Sequence, residues 1–135
     1  MVEQTRSGKI EASLRDSVRL TAEARGHLLG GKALEEVEPT IWEAYSRVEY
    51  AIFLIKLETD PEPCSRRAGS KVSERDPGKI VTLVENELGA AVQSSVRSDL
   101  IGALSTARTA RDHLRSLLVE ARKIRKRILL GSPRA

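Results

Sequence analysis

The stretch RTARDHLRSLLVEARKIRKRILL, residues 108–130, carries eight arginines and lysines against two acids. Its apolar positions decide the fold. Leu100, Ala103, Ala107, Ala110, Leu114, Leu117, Ala121, Ile124 and Ile128 follow one another at alternating spacings of three and four. That rhythm keeps one side of an α-helix apolar over about four heptads. A helix over about 98–130 is expected, stopped by Gly131-Ser132-Pro133, and at 1.5 Å rise it is about 45 Å long. Its alanine-rich first half predicts close packing inside the molecule. The larger Leu and Ile residues come where the helix outruns its neighbours and can meet a second chain.

Helical periodicity extends over the rest of the sequence, and no segment alternates with period two. Ile10, Leu14, Val18, Thr21, Ala24 and Leu28 predict a helix over about 10–29, ended by Gly30-Gly31. A second helix is expected over about 34–58. Thr40 and Glu43 have the capping-box spacing, and Ala33 to Val37 can add a turn before them. The run VEYAIFLIKL, Val48 to Leu57, is apolar nearly all round and predicts the most buried helix, with Phe53 and Tyr45 in the core. Trp42 and Tyr50 are candidates for a dimer interface. Asp76-Pro77 opens a third helix over about 77–95, which buries Ile80, Val84, Leu88, Ala91 and Val92. Ser98-Asp99 caps the fourth.

Between the hairpins, residues 59–78 hold three prolines, two glycines and little to bury, and are expected to form a long loop, more readily disordered than functional. The predicted fold is all-α: a single domain over 1–135, an antiparallel four-helix bundle with a long 59–78 loop and an extended last helix. The other helices are expected at about 27 Å.

Composition narrows the function. Cys64 is the only cysteine, which excludes an internal disulfide and a cysteine zinc cluster. His27 and His113 are isolated, so no metal site and no cofactor are expected; His27 suits a helix C-terminus. No apolar run approaches the roughly 18 residues of a membrane span, and the first residues lack a signal-like apolar core, so a cytoplasmic protein is expected. Arg outnumbers Lys 16 to 7, while Asn, Gln, Cys and Met together number five, a composition that suits a thermophile. Charge is polarised: residues 1–60 carry 8 basic and 11 acidic groups, residues 61–135 carry 15 and 8. Such asymmetry favours an oriented contact with an anionic partner.

On a helical wheel, Arg97, Arg108, Arg111, Arg115, Arg122 and Lys126 fall within a sector of roughly 60° that contains no acid. Guanidinium groups match phosphate in two-point contacts. The leading expectation is therefore a non-enzymatic binding module that contacts RNA or DNA backbone, or a ribonucleoprotein partner, through these cations. All four aromatics (Trp42, Tyr45, Tyr50 and Phe53) lie in the second helix, so no aromatic platform is expected among the cations. A homodimer or a partner helix is the expected occupant of the late Leu/Ile seam, and a protein–protein adaptor is the third reading.

Arg108-Thr-Ala-Arg-Asp-His113 has the form Arg-x4-His, which resembles the motif of the HEPN family of small helical bundles. The segment AEARGHLLGGKALEEVEPTIWEAYSRVEYAIFLIKLE, residues 22–58, is similar to that family's first hairpin. The resemblance implies a dimer whose Arg and His line an RNA-cleaving cleft, as in a ribonuclease or toxin–antitoxin component. His113 would then be the acid/base, and Arg108 would stabilise charge on the phosphorane.

Overall fold

A computed structural model describes residues 5–59 and 75–131. They form four helices: α1 (Arg6–Leu29), α2 (Leu34–Thr59), α3 (Pro77–Val96) and α4 (Leu100–Leu129). The expected loop lies mostly outside the described residues, as does Cys64. Its two ends are helical, because Thr59 closes α2 and Pro77 opens α3.

Local chemistry explains where the helices start. Thr5 Oγ1 accepts the Gly8 amide at 3.0 Å, Asp76 Oδ2 accepts that of Lys79 at 3.0 Å, and Asp99 Oδ1 accepts that of Gly102 at 3.0 Å. Each bond satisfies one of the donors a helix start leaves free. The second helix departs from expectation. What departs is the cap and not the boundary: α2 begins at Leu34, as expected, but Thr40 lies inside the helix and Pro39 occupies its second turn. The cap is instead made by Glu36, whose Oε1 accepts the Ala33 amide at 3.1 Å. Leu34 and Val37 are buried, and Glu35 and Glu36 favour the positive end of the helix dipole. Together these offset the hydrogen bond that Pro39 cannot make.

The two short turns share one backbone design. After α1, the amide of Lys32 reaches the His27 carbonyl at 3.0 Å and that of Gly31 the Leu28 carbonyl at 3.1 Å. After α3, the amide of Asp99 reaches Ser94 at 2.8 Å and that of Ser98 reaches Ser95 at 3.0 Å. Both are Schellman closures, which need one residue in the left-handed region. Gly31 fills that place at φ 100° in the first, and Ser98 at φ 65° in the second.

α1 packs on α2 and α3, and α4 packs on the same two helices. α1 and α4, like α2 and α3, are thus diagonal. Paired side chains fix the directions. Glu49, Tyr45 and Glu38 descend along α2 as their partners Arg111, Arg115 and Arg125 ascend along α4. Arg6, at the start of α1, pairs with Glu58, at the end of α2. Arg25, late in α1, donates to Glu85, near the middle of α3, at 2.6 Å. Every neighbouring pair is therefore antiparallel, as the sequence predicted. Thr59 and Pro77 consequently lie at opposite ends of the bundle, which accounts for a long connection between the hairpins.

The core holds the expected α4 seam from Ala103 to Ala121, and adds Leu104. It takes Ile10, Leu14, Thr21 and Ala24 from α1 as predicted, but also Ser13, Ser17 and Leu20, while Val18 and Leu28 are only partly covered. Ser13 can be buried because its hydroxyl donates to the Arg47 carbonyl of α2 at 2.8 Å. α1, α2 and α3 have 24, 26 and 20 residues, about 36, 39 and 30 Å. They are longer than expected, so the uncovered part of α4 is short. Its last fully buried residue is Ala121, and Ile128, Leu129 and Leu130 are exposed.

The second helix is not buried all round. It packs on α1 and α4, which leaves its outer face in solvent. Phe53, expected in the core, is 55% exposed there, along with Trp42, Tyr50 and Leu57. Tyr45 is partly buried against the core.

Candidate nucleic-acid interface

The six cations singled out by the sequence do not share one environment. Arg97 caps the C-terminus of α3, and the left-handed Ser98 breaks the helical phase before α4 begins. Arg97 therefore does not continue the α4 edge. The other five lie on α4. Arg111, with its side chain largely covered, is 3.6 Å from Glu49 of α2 and 3.4 Å from Asp112. Arg115 donates from Nη2 to the Tyr45 hydroxyl at 3.4 Å. That bond, opposed by slight desolvation, is the main cause holding its guanidinium above its ordinary pKa, so it stays charged. Arg108, Arg122 and Lys126 have no ion pair or hydrogen-bonded side-chain partner among the described residues. The edge therefore runs along the border with α2, and α2 neutralises only its middle.

Arg125 is a cation the wheel left out. Its Nη2 donates to Glu38 Oε2 at 3.1 Å, and its Nη1 lies 2.7 Å from Oε1 as an ion pair without hydrogen-bond alignment. Glu38 is mostly covered, so this pair serves the α2–α4 contact. The phase of Arg125, about 60° from Arg122 towards the buried seam, and the register of α2 against α4 together bring it to Glu38.

That same border carries aromatic groups. Trp42 stacks on Tyr45, with ring centroids 5.4 Å apart and planes 15° apart, and is itself 56% exposed. The Tyr45 hydroxyl donates to Glu49 Oε2 at 2.9 Å while accepting from Arg115. Trp42, Tyr45, Glu49, Arg111 and Arg115 thus form one continuous chain of contacts across the two helices. The expectation that no aromatic platform lies among the cations is corrected by this register. Aromatics confined to one helix still flank cations on another when the two helices pack side by side.

His113 lies on the opposite side of α4. Its Nδ1 is 3.0 Å from Glu87 Oε1 of α3, and both side chains are largely buried. About 140° of helix rotation separates it from Arg108, so one chain does not bring the two together. His27 occupies the last turn of α1, as expected, 3.8 Å from Glu23. Among the described residues no group of three or more His, Cys, Asp or Glu is placed to hold a metal ion. No described helix is long and apolar enough to cross a membrane. Comparison of the chain with models of known families, with curated protein sequences and with solved structures gives no match.

Proposed function

We propose that this protein is a non-enzymatic helical module that holds the backbone of a nucleic acid along the α2-facing edge of α4. One observation carries the reading. Arg108, Arg115, Arg122 and Lys126 lie along one edge of α4, and none of the four has a carboxylate partner among the described residues, so their charges add along a single border. Like charges four apart, such as Arg122 and Lys126, destabilise a helix slightly, and an external polyanion removes that repulsion.

Affinity for a labelled oligonucleotide, measured at increasing salt, tests the proposal. Binding should weaken steeply, and Arg122→Glu should reduce both the affinity and the salt slope, the latter by about 1. A flat salt response, or undiminished binding by Arg122→Glu, rejects it.

Two further readings each have a supporting observation. The carboxylate of Glu87 fixes the His113 ring as a general base needs, which favours an RNA-cleaving HEPN-like protein in which Arg108 comes from a second protomer. RNA cleavage that persists in His113→Ala counts against it. Ile128, Leu129 and Leu130 are exposed at the end of α4, which favours contact with a second copy or a partner helix. A strictly monomeric sedimentation profile that no partner alters removes that reading.

A further inference from the structure

The outer face of α2 is apolar without being covered, and its position relative to the α4 cations indicates what it meets. Between Pro39 and Leu57 the residues on that face are Pro39, Trp42, Ser46, Tyr50, Phe53 and Leu57, with no charge among them. Trp42 and Phe53 lie only about 20° apart around the helix, on its α4-facing shoulder beside Glu49. They are about 16 Å apart along the axis. The α2–α4 register sets their level against the cations. Glu49 meets Arg111, Tyr45 meets Arg115 and Glu38 meets Arg125. Phe53 therefore stands level with Arg108, and Trp42 stands between Arg115 and Arg122. Two exposed rings thus stand beside the line of cations along a single border.

We infer that this border is a binding site for single-stranded nucleic acid, with bases stacking on Trp42 and Phe53 and the adjoining phosphates held by Arg108, Arg115 and Arg122. The inference rests on the proposed backbone contact and adds the strand type and the aromatic positions. A duplex keeps its bases stacked on each other and needs no exposed ring, whereas an unpaired base gains from an aromatic surface next to a cation. Tyr45 covers one face of the Trp42 indole and is itself tied by Glu49 and Arg115, so the ring is pre-positioned before a strand arrives. A second copy of the chain is the less favourable occupant. It carries the same basic edge, and docking it on this shoulder would bring like charges together.

Trp42 is the only tryptophan, so its emission reports on this site alone. The full-length protein is titrated with oligo(dT), with oligo(U), with a duplex of equal length, and with inorganic polyphosphate as a polyanion without bases. Oligo(dT) and oligo(U) should both quench Trp42 and shield it from acrylamide, and oligo(dU) against oligo(U) reads the preference for sugar. Duplex and polyphosphate should bind more weakly or leave the emission unchanged. Trp42→Ala should lose about 5- to 150-fold in affinity for the single strand, with Trp42→Phe recovering most of it. Phe53→Ala should lose a smaller factor. Salt-sensitive single-strand binding with unchanged Trp42 emission, or equal affinity in Trp42→Ala, overturns the stacking site and leaves the backbone contact standing. No binding by any polyanion overturns both. Emission that changes with protein concentration alone assigns the shoulder to a second copy and overturns the inference.

Discussion

His113 of α4 and Glu87 of α3 clasp the second hairpin, with Nδ1 3.0 Å from Oε1 and side-chain exposures of 12% and 21%. Polar groups this well covered lose more when one partner is removed than when both are, because a single deletion leaves the other unsatisfied. In urea unfolding, His113→Ala and Glu87→Ala should each destabilise the protein. The double variant should lose less than the sum, with a coupling of about 1 kcal/mol. Strictly additive losses would show that the pair holds nothing together. The same variants separate a structural role from a chemical one, since a structural clasp affects unfolding without setting any cleavage rate.

Arg122 and Arg125 are three residues apart and identical in chemistry, yet only Arg125 has an anionic partner. Arg125→Ala strands Glu38, which is mostly covered by the α2–α4 contact, so it should lower stability by about 1 kcal/mol. Its effect on nucleic-acid affinity should be small. Arg122→Ala should do the opposite, with an unfolding midpoint near the parent's and weaker binding that is less sensitive to salt. Paired measurement of unfolding midpoint and affinity checks both, and an equal loss of binding in the two variants would contradict the division.

The contrast between those two arginines also shows where sequence ceases to inform. Periodicity marks α4 and its seam, and the stops at Gly30-Gly31, Asp76-Pro77 and Ser98-Asp99 mark most helix ends, because caps and left-handed turns are local chemistry. The start of α2 is not local. Buried Leu34 and Val37, with the Glu36 cap, carry the helix through Pro39, so the capping-box spacing of Thr40 and Glu43 goes unused. Nor does an apolar run such as VEYAIFLIKL say which of its sides a neighbour will cover. Phe53 is exposed because α1 and α4 pack on other sides of α2 and leave this one in solvent. Half of the candidate site depends on such facts. The α4 cations are legible as a stripe, but Trp42 lies beside them only through a register between residues some 70 positions apart.

Asp99 and Gly102 give a test in which two local effects oppose each other. A Cβ on Gly102 would collide with the Asp99 carboxylate that caps α4, so Gly102→Ala displaces the cap while adding a better helix former. The cap is worth about 1 kcal/mol and the gain in helix propensity is of similar size. Alone, Gly102→Ala should therefore be close to neutral. In an Asp99→Ala background, with no cap left to lose, the same substitution should stabilise by up to about 1 kcal/mol. Thermal unfolding of the four proteins reads the difference, and an equal effect of Gly102→Ala in both backgrounds would show that the carboxylate does not cap α4.

Ser98 and Gly31 occupy the same position in two matching turns, and only one is the residue that the conformation favours. With φ at 65°, the Cβ of Ser98 is strained in a way that glycine is not, by about 1 kcal/mol. Ser98→Gly should stabilise the protein by about 0.5 kcal/mol, once the greater freedom of the unfolded glycine is subtracted. Gly31→Ala, placed at φ 100°, should destabilise by about 1 kcal/mol or more, although its Cβ would meet no atom within 4 Å. The opposed signs make the comparison informative, because no change in side-chain packing predicts them. Denaturant midpoints that move in the same direction for both variants would mean that the α3–α4 turn does not hold Ser98 in the left-handed region in solution.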